Sequence, residues 1–123
     1  MKSDEIMVLP SNPRVTYKIA SVEDIIAMTG EKPKASLRAL VFYLDGIPSG
    51  LGGYKLENGA YILFSDIKES VNVSKLTIFR CAKIIMEFAK KRGMSMYAVG
   101  GNPDLLERLG LVHIGDGDYK WQP

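Results

Sequence analysis

Apolar and polar positions change their period several times along the chain, and each change marks an element. Val15-Thr16-Tyr17-Lys18-Ile19-Ala20 alternates enough to predict a strand. Ser21 then precedes Val22-Glu23-Asp24-Ile25-Ile26-Ala27-Met28, with carboxylates in the first turn and Gly30 after the end, which predicts a short capped helix. The β-branched and aromatic run Leu37-Arg38-Ala39-Leu40-Val41-Phe42-Tyr43-Leu44 ends in Asp45-Gly46, a strand entering a hairpin turn. Residues 47–56 form the returning strand, in which Pro48, Gly50, Gly52 and Gly53 predict a bulge or a close backbone approach. Asn58-Gly59 supplies a second turn, and residues 60–67 complete a three-stranded meander.

From about Ser74 to Arg92 the polar residues Thr77, Arg80, Lys83, Glu87, Lys90 and Lys91 fall on one narrow stripe at helical spacing. The remainder is apolar, so the pattern predicts a long helix packed deeply against the sheet, capped by Ser74 and stopped by Gly93. Residues 94–99 form a short strand, Asp104 begins a helix of one or two turns that Gly110 ends, and residues 111–114 and 119–121 are strand-like around a Gly115-Asp116-Gly117-Asp118 turn. Pro10-Ser11-Asn12-Pro13 marks residues 1–14 as a flexible arm, and 31–36 is a linker.

A length of 123 residues fits one domain with one core, and 46% hydrophobic against 24% charged residues excludes global disorder. The net charge of +2 is too small for a nucleic-acid or anionic-lipid partner to be expected. No apolar run approaches the roughly 20 residues that span a bilayer, and the acidic start Met1-Lys2-Ser3-Asp4-Glu5 lacks a signal-peptide core, so a cytoplasmic setting is expected. Cys81 and His113 are the only residues of their types, so no intrachain disulfide forms, no metal site is expected, and structural roles are expected for both.

Three segments resemble, in order, those of the GNAT N-acyltransferases. Val41-Phe42-Tyr43-Leu44-Asp45-Gly46-Ile47-Pro48-Ser49-Gly50 is similar to that family's V-x-x-D-G-x-x-V-G strand pair. Phe88-Ala89-Lys90-Lys91-Arg92-Gly93 resembles its W-A-K-x-x-G helix ending. Asn102 with Leu105-Leu106-Glu107-Arg108-Leu109-Gly110-Leu111 resembles its N-x-x-A-x-x-L-Y-E-K-L-G-F segment. The resemblance covers about residues 39–121 and implies a mixed, mainly antiparallel α/β sheet with a long central helix, with one N-terminal helix where the family commonly has two.

In such a fold, acetyl-CoA lies where the strand before the long helix splays from the strand after it. The resemblance places Asp66, Ile67 and Lys68 against the pantetheine and Val73, Ser74, Lys75, Leu76, Thr77 and Ile78 at the pyrophosphate, with Asn102 nearby. The family's Q/R-x-x-G-x-G/A loop is here written with Val73, Leu76 and Ile78 at its marked positions, and side chains there obstruct close phosphate approach. The tyrosine that often protonates the departing thiolate aligns with Leu106. Asp66 is the expected general base, with Glu69 behind it, and Tyr97 or Tyr61 the replacement acid.

Two functions follow. One is transfer of an acetyl group from acetyl-CoA to an amine acceptor. The other, motivated by the absent glycines and tyrosine, is a catalytically inactive binding or structural module with a homo-oligomeric or other protein partner, of which a phage-encoded virion component is one concrete version. Gly50-Leu51-Gly52-Gly53 reads as a bulged strand and not a phosphate loop, since no Gly-Lys-Ser/Thr follows. Gly115-Asp116-Gly117-Asp118 lacks the further oxygen ligands of a calcium loop and reads as a turn. Lys90-Lys91-Arg92 reads as a solvated helix end, and Trp121 as a side chain that closes the core.

Overall fold

The computed structural model describes residues 5–33, 36–68 and 72–123. The elements are β1 (Met7–Val8), β2 (Val15–Ile19), α1 (Val22–Thr29), β3 (Leu37–Leu44), β4 (Ile47–Glu57), β5 (Ala60–Ile67), α2 (Lys75–Lys90), β6 (Met96–Val99), α3 (Pro103–Arg108), β7 (Val112–Gly115) and β8 (Asp118–Trp121). The strands make one sheet in the order β1-β2-β3-β4-β5-β6-β8-β7. Every neighbouring pair is antiparallel except β5 and β6, which run parallel because α2 carries the chain across between them.

The meander follows from its turn residues. Asp45-Gly46 and Asn58-Gly59 all have positive φ (51° and 80°, 51° and 78°), the two-residue turn whose twist matches paired strands. Ser49 is the extra residue of a bulge, since Phe42 pairs with Gly50 and Tyr43 with Pro48. Gly52 and Gly53 mark close approaches on opposite faces. A methyl at Gly52 would stand 2.2 Å from Ile85 Cδ1 of α2, and one at Gly53 would stand 2.0 Å from the Arg38 carbonyl oxygen of β3.

One core layer lies between the sheet and α2, where Leu9, Val15, Tyr17, Leu40, Phe42 and Ile85 are buried together. On the other face α1 packs Ile25 against Ala39, Val41 and Leu51. Helix α1 begins with a capping box: Ser21 Oγ accepts from Asp24 N at 3.1 Å, and the Asp24 carboxylate accepts from Ser21 N at 2.8 Å. Trp121 packs beside Met86 and Met96 as expected, with the Lys90 ammonium 5.4 Å from its ring.

Two expectations need correction. Residues 5–14 are not a loose arm: Met7 pairs with Tyr17, Leu9 N donates to Val15 O at 3.0 Å, and Leu9 is 2% exposed. The burial of that one leucine turns the Pro10-Ser11-Asn12-Pro13 stretch into a tight reversal between two strands. Helix α2 is deeply buried only at Ile85, Met86 and Ala89; Leu76 is 55% exposed, and the inner side of the first turns borders a cavity instead of packed side chains. The last two strands flank the expected turn at Asp116-Gly117, with β8 pairing between β6 and β7 and β7 at the sheet edge.

Candidate functional site

The site begins where the parallel pairing stops. Tyr61, Ile62 and Leu63 pair with Met96, Tyr97 and Ala98, and beyond Leu63 the strands part although β5 continues to Ile67. A two-residue turn joins Glu57 to Ala60, and Lys68 N donates to Ser49 O at 3.0 Å, so even-numbered residues of β5 bond to β4. Odd-numbered residues therefore present their N–H and C=O to the β6 side. Tyr61 and Leu63 meet β6 there, whereas Ser65 and Ile67 present theirs to an open gap.

A cavity of about 460 Å³ occupies this gap and passes through the plane of the sheet. Lys55, Ile62 and Phe64 line it from the α1 face, and Leu63, Ser65, Ala82 and Met86 line it from the α2 face. Leu106 and Asn102 border it from α3. Proton-bearing side chains in the lining are Lys55, whose ammonium lies 3.0 Å from Glu57, Ser65 and the Asn102 amide.

The first turn of α2 stands beside this gap. Ser74 Oγ accepts from Thr77 N at 3.1 Å and lies 3.0 Å from Thr77 Oγ1, so both residues cap their own helix. The amides of Lys75 and Leu76 belong to the first turn, which has no intrahelical acceptors, and with the helix dipole they favour an anion. Leu76 projects into solvent, while Val73 and Ile78 line a second, apolar cavity between α2 and the sheet.

The expected site residues are thus only partly brought together. Ile67 presents its backbone to the gap; Asp66 bonds toward β4 and Lys68 to Ser49, so these two do not face the gap with their main chains. The Asp66 side chain is exposed on the face opposite α2 and does not line the cavity. Tyr97 lies beside Ile62 with the Lys120 ammonium 5.4 Å from its ring, four residues along β5 from Asp66, or about 13 Å at strand rise. Asp66 and Tyr97 therefore do not form one acid–base pair. Tyr61 packs near Tyr54, away from the gap, and Glu69 lies outside the described residues. Asn102 Oδ1 caps α3 by accepting from Leu105 N at 3.2 Å and also lines the cavity. Leu106 occupies the gap where an acid would be useful and carries only hydrocarbon.

Sequence reasoning missed Ser65 and Lys55. Ser65 shares its strand face with Tyr61 and Leu63, and a hydroxyl on an otherwise apolar face was the available signal. Cys81 and His113 belong to separate clusters. Burial pushes the Cys81 thiol up to about 11, so it is neutral and unsuited to nucleophilic attack, and His113 packs against Tyr119 in a tilted arrangement with ring centroids 5.1 Å apart.

No family model matches this chain, and no curated protein matches it. Solved structures do. One is the acetyltransferase from Salmonella typhimurium described as modifying the N-terminal serine of the 50S ribosomal subunit protein L7/L12; the match has a TM-score of 0.57 at 10% identity and covers 97% of this chain and 99% of that one. A second is RimL, a ribosomal L7/L12 α-N-protein acetyltransferase in an apo crystal form, with a TM-score of 0.55 at 10% identity over 96% of this chain and 98% of that one. With its eight-stranded mixed sheet parting between β5 and β6 under a long helix, the chain has the GNAT acetyltransferase fold.

Proposed function

We propose that this protein transfers an acyl group, acetyl in the simplest case, from a CoA thioester to an amine. The observation that supports it is the cavity through the sheet at the parting of β5 and β6, which lets a donor on the α2 face meet an acceptor on the opposite face. The donor supplies an activated carbonyl on a good leaving group. Ser65 and Ile67 offer backbone N–H and C=O groups to the amides of an extended pantetheine-like arm, and an N–H here polarises the carbonyl oxygen as an oxyanion-hole donor. The Lys75 and Leu76 amides and the Lys75 charge face the phosphates.

The amine lone pair attacks the carbonyl carbon, a C–N bond forms, and the C–S bond breaks. The nitrogen proton leaves through water toward the exposed Asp66 on the acceptor face, and Ser65 or Lys55 returns one to the thiolate sulfur. Products are the amide and the free thiol. The two RimL-like structures act on a protein N-terminus, so an N-terminal peptide amine is a sensible first acceptor to assay.

Calorimetric titration with acetyl-CoA, followed by thiol release in the presence of a panel of primary amines, tests this reading. Saturable binding and amine-dependent thiol release support it. No heat and no melting-point shift at millimolar acetyl-CoA would sink it.

A second reading, a non-catalytic module, draws on Leu106 in the gap, the self-capped Ser74, and exposed Val112 and Ile114 on the edge strand β7. Self-association that is abolished by Val112→Lys, in a protein indifferent to CoA, would favour it.

A further inference from the structure

The apolar cavity under the first turns of α2 adjoins the gap. Ser65, Ala82, Ile85 and Leu105 border both spaces. Its other walls include Phe42, Leu44, Ile67, Val73, Ile78 and Cys81. Of the polar side chains that border it, Ser49 Oγ donates to Ile47 O at 2.8 Å and Thr77 pairs with Ser74, while Ser65 stands at its junction with the gap. Away from that junction the walls are mainly apolar, and an apolar cavity of this kind does not retain water. Its occupant must therefore be hydrocarbon.

The volume sets the size of that hydrocarbon. The cavity holds about 80 Å³, roughly half the 150 Å³ of an engineered apolar cavity that accepts benzene. That is room for a chain of about three or four carbons and not for a long fatty acyl group. Ser65, where the open backbone groups of β5 begin, stands at the junction.

We infer that this cavity receives the acyl chain of the donor, so that the protein selects short acyl thioesters of about four carbons over acetyl. The inference rests on the proposed function for the identity of the donor, and its test separates the two. Each methylene buried raises affinity about fourfold, so butanoyl-CoA binds roughly fifteenfold more tightly than acetyl-CoA, and the gain stops beyond about five carbons. Calorimetry with acetyl-, butanoyl- and octanoyl-CoA on the wild-type chain reads this directly, and needs no variant. The truncated thioesters S-acetyl- and S-butanoyl-N-acetylcysteamine, which lack the nucleotide, are titrated in parallel.

Cys81 lines the apolar cavity alone, so Cys81→Leu fills it and removes the chain-length preference; an unchanged cooperative melt checks that the variant folds. Equal affinity for acetyl- and butanoyl-CoA, or a preference that persists in the filled variant, overturns the inference while leaving the acyltransfer reading intact. If the truncated butanoyl thioester is preferred and CoA esters do not bind, the cavity assignment stands and the CoA reading falls. If no thioester binds, both fall.

Discussion

Replacing Gly52 by alanine places a methyl where Ile85 Cδ1 already lies, 2.2 Å away, with Ile85 Cγ1 at 3.1 Å. Carbon atoms settle at about 3.5–4.0 Å, so the first contact is more than an ångström too short. Ile85 is buried and borders both cavities, so it yields only by tilting into them. Overpacking of this kind costs about 1–3 kcal/mol, and the lower unfolded-state entropy of alanine returns about 0.4–1, leaving a net loss near 1.5 kcal/mol. Ile85→Val alone removes Cδ1 and costs about 1 kcal/mol. The double variant exchanges one methyl for the other in the same space, so its total loss stays near 1 kcal/mol instead of the additive value of about 2.5. Urea unfolding of the four proteins measures the coupling. Additivity within about 0.5 kcal/mol would refute the contact and the account of how α2 sits on β4. Gly53→Ala is a useful contrast: its methyl meets the Arg38 carbonyl and Ala39 Cα, backbone atoms that cannot rotate away, and it is expected to cost more than Gly52→Ala.

Leu9→Ala should destabilise the protein by about 2–5 kcal/mol, as for any fully buried leucine, whereas a loose arm would show about 0.5 or less in the same urea experiment. Burial alone would raise the Asp24 carboxyl, but hydrogen bonds from the Ser21 N–H and hydroxyl, with Lys18 at 3.5 Å, outweigh it and hold the group below its ordinary value. A depressed folded value means stability that is present above the unfolded value of about 3.9 and lost as pH falls below it. Asp24→Asn should flatten the acid limb of a stability–pH curve, and an unchanged limb would discount the capping box. Because the Cys81 thiol is pushed up to about 11, a disulfide reagent at pH 7.5 should label the native protein far more slowly than the urea-unfolded chain; equal rates would contradict its burial.

Much of the fold is legible in the sequence because its determinants are local. Asp45-Gly46 and Asn58-Gly59 specify their turns with no help from the rest of the chain, and Ser74 marks the start of α2 because capping needs only residues within one turn. The sheet order is less accessible. The parallel pairing of Tyr61 with Met96, and the insertion of β8 between β6 and β7, join positions whose contact leaves no trace in either local pattern. The same limit governs the site. Ile67 could be placed at the gap from resemblance, but that Ser65 opens to it and Asp66 does not depends on ladder parity, which appears only once Glu57 is paired with Ala60. Residue type alone points to Tyr97 as an acid, and its position beside Ile62 removes it from Asp66.

The short parallel pairing between β5 and β6 bears on how the molecule comes apart. Among the described residues, three backbone pairs join the ladder of β1 through β5 to the ladder formed by β6, β8 and β7, with α2 bridging the two above. This seam is the line along which a sub-global opening would divide the molecule into two cooperative units. In native-state hydrogen exchange, amides at the seam should report a lower opening free energy than those inside the β3–β4 ladder, and the difference should shrink when a ligand spans the gap. Any molecule bound there would act as a staple between two halves that share little backbone bonding.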